Sequence, residues 1–257
     1  MTIFDDTLLS RIEDAGLNAS APPQQRWLDG WVVRYLPGKA RRARCINAVT
    51  TGRLPLADKL TLAAEVYREA GLPMIFRLHR FTQPAGLDEI LAASGYAVVD
   101  HTRVLVCAQL PPAGGRALPE GLSWTRLDGA AFAEAVGALR GSPPGHRSSH
   151  ALRLQHSPVP YEGHAVLREG DGGVVACGQF AREGELVGLY DVFTHESMRS
   201  QGFAGLICER MLSISALQGA KIAYLQVDAE NQPALAVYRR LGFAEGYRYH
   251  YRERPPA

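Results

Sequence analysis

The chain has 257 residues, 46% of them hydrophobic and 21% charged, with a formal net charge of +2. That balance gives a globular protein with ample core material, one large domain or two of about 100–150 residues each, and it argues against nucleic acid or an anionic membrane as partner. The chain contains no run of apolar residues long enough to cross a bilayer, its start "MTIFDDTLLSRIEDAG" is acidic rather than signal-like, and Cys45, Cys107, Cys177 and Cys208 stand singly, so a cytoplasmic protein with reduced thiols and no metal is expected.

Asp5 to Ala15 reads as a short helix, "GWVVRYLP" as a strand and "ARCINAVT" as a second. Apolar residues at helical spacing run through "LADKLTLAAEVYREAG", which stops on Gly71. Strand "PMIFRLH", helix "GLDEILAASG" and strand "YAVVDHTRVLVCAQL" follow. The Pro/Gly-dense stretch 108–121 reads as a linker. Beyond it come strand "LSWTRL", helix "AAFAEAVGALRG", a Pro/His-rich loop, and a meander of "GHAVLRE", "GVVACGQFAR" and "ELVGLYDVFT". Helix "FAGLICERMLSISALQGA", strand "KIAYLQVD", helix "QPALAVYRRLG" and strand "EGYRYHYRER" close the chain. Antiparallel strands mixed with crossover helices predict an α/β (α+β) mixed sheet.

The two halves share an order of elements. "GLPMIFRLHRFTQPAGLDEILAASGYAVV" lies over "GAKIAYLQVDAENQPALAVYRRLGFAEGY", each reading helix end, strand, Gln-Pro loop, short helix and Gly-aromatic. An internal repeat is expected, with domains 1–115 and 119–257.

The strand "LVGLYDVF" gives way to Arg199, Ser200, Gln201, Gly202, Phe203 and Ala204, and then to a helix. Unpaired N–H groups and the positive dipole end make a helix start attractive to an anion such as pyrophosphate. Gly202 and Ala204 keep side chains out of the way, and Arg199 adds a charge. On its own the turn equally serves as a tight strand-to-helix connection. The second element is "DAENQPALAVYRRLGF". With it the chain resembles the GNAT superfamily of acyl-CoA N-acyltransferases, which carries a [Q/R]-x-x-G-x-[G/A] turn and, about thirty residues on, the pattern of Asn231, Ala234, Tyr238, Gly242 and Phe243.

The resemblance implies two GNAT-like domains, the first degenerate. Arg199 to Gly205 would hold the pyrophosphate of acetyl-CoA, and Val192, Phe193 and Thr194 would bind its pantetheine arm as an added strand. Asn231 would hold that arm, and Tyr238 would protonate the leaving thiolate. Asp191, with Glu185 behind it, is the candidate base. The acceptor is expected to be a primary amine of a small molecule or peptide, and a non-catalytic acyl-CoA sensor or scaffold is the alternative. At the repeat's equivalent of Tyr238 stands Leu91, and "NAVTTGRLP" lacks the phosphate turn. The basic run "GKARRARC" reads as a hairpin rim rather than a nucleic-acid patch, His146, His150 and His156 as solvated loop residues rather than zinc ligands, and Trp27, Trp31 and Trp124 as core.

Overall fold

The computed structural model describes residues 4–38, 40–111 and 116–254; linker residues 112–115 lie outside them. Two compact units emerge, and each draws on both sides of the linker. The first runs to Ala19 and adds Val104–Val227 and Asn231–Gly246; the second comprises Ser20–Arg103, Asp228–Glu230 and the chain from Tyr247 on. The opening helix α1 (Asp6–Ala19) and the end of strand β5 (Ala97–Cys107) therefore belong with the later half of the sequence, and most of the last strand, β11 (Ala244–Glu253), with the earlier.

In the first unit β6 (Leu122–Leu127), β7 (Tyr161–Arg168), β8 (Val174–Glu183) and β9 (Leu186–Thr194) form an antiparallel meander. Strand β10 (Ile222–Asp228) joins β9 in parallel, as a helical crossover permits. The crossover is α6 (Phe203–Leu217), whose Leu206, Ile207, Met211 and Leu212 are buried at helical spacing. Each such side chain contributes about 1.5–3 kcal/mol on leaving water. Val166 of β7 joins this cluster. Its neighbour Ala165 points to the opposite face, against Phe132 and Leu154 of α4 (Gly129–Leu139) and α5 (Pro144–Gln155). Helix α5 replaces the Pro/His-rich loop expected from the sequence. Pro144 sits in its first turn, where a missing N–H costs nothing.

In the second unit the strand order is β1 (Gln25–Leu28), β2 (Trp31–Arg34), β3 (Ile46–Ala48), β4 (Ile75–His79) and β11. Strand β1, absent from the sequence reading, pairs with β2 through Asp29 and Gly30, at φ 45° and 87°, a two-residue hairpin turn. Helices α2 (Leu56–Ala70) and α3 (Leu87–Ala93) complete the unit, and α2 ends on Gly71 at φ 64° as expected. Trp31 is buried edge-on to Phe76, with ring centroids 5.5 Å apart. Trp124 stacks on His164, but Trp27 is 68% exposed and lies outside any core. In the basic run, Arg41 is neutralised by Glu253 and Asp100. Among the described residues no helix is long and apolar enough to cross a membrane.

Candidate functional site

Strand β9 is the axis of the site. Its parallel register with β10 runs from Leu186 to Leu189. Beyond that, Asp191 takes a left-handed φ of 51°, and the register with β8 skips between Cys177 and Gln179. The bulge re-aims the rest of the strand, as such irregularities do beside functional sites. Val192, Phe193 and Thr194 follow it, still partly accessible. Phe193 lies under two cations, the Arg140 and Arg199 guanidinium carbons 5.5 and 5.7 Å from its ring. The buried Thr194 Oγ1 has no hydrogen-bond partner among the described residues, and neither has Gln179 Oε1 behind it. A buried polar atom without a protein partner calls for a water, an ion or a functional role to account for it.

The chain then enters a short turn, 196–198, capped by His195, and reaches Arg199 in extended conformation. Ser200 and Gly202 both have left-handed φ values, 62° and 85°, and Gly202 is the N-cap of α6 with no side-chain cap. Leu206 is the first α6 residue whose N–H returns to a backbone carbonyl, that of Gly202, at 3.0 Å. The N–H groups of Phe203, Ala204 and Gly205 have no backbone acceptor among the described residues and lie in a concavity formed by the two left-handed residues, an arrangement that suits an anion. Gln201, exposed, reaches back to the Ser197 carbonyl at 3.3 Å. A second cation joins them. Side-chain atoms of Arg116 lie 3.9 and 3.2 Å from where a Cβ would stand on Gly202 and Gly205. Glu209 holds that guanidinium at 2.7 Å. Arg116 was missed in the sequence because it lies within the stretch read as a linker, 93 positions from its partner.

Asn231 and Tyr238 are set by α7 (Gln232–Arg240). Asn231 caps the helix, its Oδ1 accepting from Ala234 N–H at 3.2 Å. Tyr238 lies half-buried against the α6 cluster and edge-on to Phe243 at 5.9 Å. Its hydroxyl has no hydrogen-bond partner among the described residues. Burial, with Cys208 adding to it, pushes its pKa well above the usual value and keeps the phenol protonated.

The two candidate bases separate. Glu185 pairs with Lys221 on the surface just before β9, remote from the bulge. Asp191 sits at the bulge in a cluster. Arg140 donates to Oδ1 at 3.0 Å and Gln179 Nε2 to Oδ2 at 2.7 Å. His150 Nε2 lies 3.4 Å from Oδ2, within ion-pair reach but outside hydrogen-bond alignment. Burial would raise the Asp191 pKa, but His150, Arg140 and Arg153 outweigh it and hold the carboxyl well below its usual range. A carboxylate so stabilised is a weak proton acceptor. Of the three histidines read as loop residues, His150 thus belongs to the site, whereas His146 is exposed and His156 ends α5 with Nδ1 on the Leu152 carbonyl at 2.8 Å. The four thiols are all buried, and burial pushes Cys177 and Cys208 up to about 12, so neither is a nucleophile at neutral pH. Among the described residues no group of three His, Cys, Asp or Glu side chains is placed to hold a metal.

Residues 132–243 match the model of the Acetyltransferase (GNAT) family. Over 230 residues the chain is 23% identical to YobR, an uncharacterized N-acetyltransferase of Bacillus subtilis, covering 89% of this chain and 91% of that protein. A GCN5-related N-acetyltransferase from Kribbella flavida superimposes with a TM-score of 0.68 at 18% identity, covering 96% of each chain. A tandem GNAT protein from the clavulanic acid biosynthesis pathway gives 0.65 at 15% identity, over 78% of this chain and 70% of that one.

Proposed function

We propose that the chain, whose residues 132–243 match the acetyltransferase (GNAT) family model, is an acyltransferase that moves an acetyl group from acetyl-CoA to a primary amine by direct attack. The observation that carries this reading is the open turn from Ser200 to Gly205, uncapped N–H groups beside two arginines at the end of a bulged strand. A pyrophosphate fits there in charge and in shape, because glycines leave the backbone bare where Arg116 and Arg199 stand.

In the proposed reaction Arg199 to Gly205, with Arg116, hold the pyrophosphate. The backbone of Val192 to Thr194 orients the pantetheine arm and offers N–H groups to the oxyanion that forms as the amine adds to the thioester. The Asp191–His150 pair takes the amine's proton, with the imidazole as acceptor and the carboxylate as its fixed anionic partner, so that the role divides between the residue expected from the sequence and a neighbour on α5. As the C–S bond breaks, Tyr238 gives its proton to the thiolate, and burial favours its remaining protonated until then. Direct attack agrees with thiols that are buried and poorly ionised.

The test is Tyr238→Phe, assayed by thiol release across a panel of amines and by calorimetric binding of acetyl-CoA. Loss of turnover by about 10²-fold or more with unchanged affinity is expected. Binding without turnover of any amine by the intact protein would instead fit an acyl-CoA sensor.

A further inference from the structure

On the sheet face covered by α4 and α5, the side chains around Asp191 do not balance in charge. Arg140 and Gln179 hold the carboxylate, and His150 stands beside it. Arg153, half-buried, follows His150 by three residues on α5 and so shares its side of the helix. Its guanidinium carbon lies over the Tyr161 ring, 6.0 Å from the centroid. Tyr161, which opens β7, is edge-on to Tyr190 at 5.3 Å, and Tyr190 directly precedes Asp191. Arg153 and His150 thus flank the bulge together.

Arg153 makes no hydrogen bond or ion pair among the described residues. The other carboxylates on neighbouring elements are taken. Glu134 pairs with Arg147, Glu162 with Arg126, His164 and Gln218, and both Glu183 oxygens accept from Asn18. Burial would raise the Asp191 pKa; His150 and Arg140 overcome it from beside the carboxylate, and Arg153 assists by charge alone, within electrostatic reach of the bulge but without contact. Two arginines around one carboxylate leave a positive charge in excess even with His150 neutral. A half-buried guanidinium that gives up hydration without gaining an anion is suited to an incoming one.

We propose that the acceptor carries a carboxylate of its own, as an amino acid does, and that Arg153 binds it while the amine sits at Asp191 and His150. The proposal rests on the acyl-transfer reading above and names its substrate class. One planar guanidinium suits the paired oxygens of one carboxylate. Because that carboxylate is remote from the bond being made, Arg153 contributes to binding rather than to the chemical step, and its loss should appear in KM.

The experiment is thiol release by the full chain from acetyl-CoA with matched amines: L-phenylalanine with phenethylamine, L-leucine with isopentylamine, L-lysine with cadaverine, and phosphoethanolamine with ethanolamine. In at least one amino-acid pair the carboxylate-bearing member should have a kcat/KM about tenfold or more above its partner. Arg153→Gln should raise KM for that member about tenfold, keep its kcat within about twofold and leave the decarboxylated amine and acetyl-CoA affinity unaffected. Arg153→Glu, at a position open to solvent on one side, should reverse the preference. Equal use of amino acids and decarboxylated amines, equal losses for both in Arg153→Gln, or a preference confined to phosphoethanolamine overturns the carboxylate assignment and leaves acyl transfer standing. No turnover of any member, with or without a carboxylate, overturns both.

Discussion

The helix starts that follow β9 in the first unit and β3 in the second treat the same physical problem in opposite ways. Before α6 the N–H groups are uncapped, flanked by glycine and overlooked by Arg199 and Arg116. Before α2 the N–H groups just ahead of its N-cap Pro55 are satisfied from within. The Asp29 carboxylate accepts from Arg53 N–H at 2.9 and 2.8 Å and from Leu54 N–H at 2.8 Å. These bonds hold its pKa below the usual range, with Lys59 assisting. Lys59, 1% exposed, stands 3.5 Å from that carboxylate, donates to the Asp29 and Thr51 carbonyls, and lies over the Trp31 ring. Gly52 allows the approach, since a Cβ there would meet the Asp29 carbonyl oxygen at 2.1 Å. In one unit an internal carboxylate thus holds the N–H groups just ahead of the helix, whereas in the other the first-turn N–H groups of α6 find no backbone acceptor among the described residues. At the following short helix Leu91, which the expected repeat sets against Tyr238, is fully buried, while the Tyr238 hydroxyl has no hydrogen-bond partner among the described residues.

Variants that separate the closed start from the open one follow in order of effect. Lys59→Ala leaves carbonyls and a carboxylate without their cation and should cost about 3–4 kcal/mol in chemical denaturation, with acetyl-CoA affinity unchanged in the folded protein. Asp191→Asn leaves Arg140 and His150 without their anion, and a loss of about 2–3 kcal/mol is expected together with a rate fall of at least tenfold. Because the folded-state pKa of Asp191 is depressed, its contribution is present above the unfolded value of about 4 and is lost as pH falls through the folded value. Acid titration of the wild type against the Asn variant should therefore show the stability difference closing only in strong acid. Arg116→Ala removes an exposed cation and should weaken acetyl-CoA by only about 3–5-fold, less at high salt. Glu185→Gln, remote from the bulge, should leave turnover unchanged.

Legibility followed the range of the interactions. The turn 199–205, Asn231 and Tyr238 stood out because their spacing is local, and the meander and crossover helices because apolar residues recur at the period of each element. Helix α5 escaped because Leu154 is its single buried residue among the described ones, so it has no apolar stripe to read. Strand β1 escaped although the Asp29-Gly30 hairpin signal was present, because its own residues are mostly exposed and do not alternate. His150 with Asp191, Arg116 with the α6 turn and Asp29 with Arg53 are contacts across long stretches of chain, which one sequence does not encode as spacing. The traded segments are hidden for the same reason: strands β5 and β11 read alike wherever they pack.

The central claim is that the turn before α6 is an acyl-CoA phosphate cradle. Calorimetric titration with acetyl-CoA of the intact protein and of Gly202→Glu, its fold checked by circular dichroism, tests that claim most directly. Micromolar binding by the intact protein that disappears in the variant is the expected result. Absence of binding by the intact protein, or equal binding by both, would contradict it.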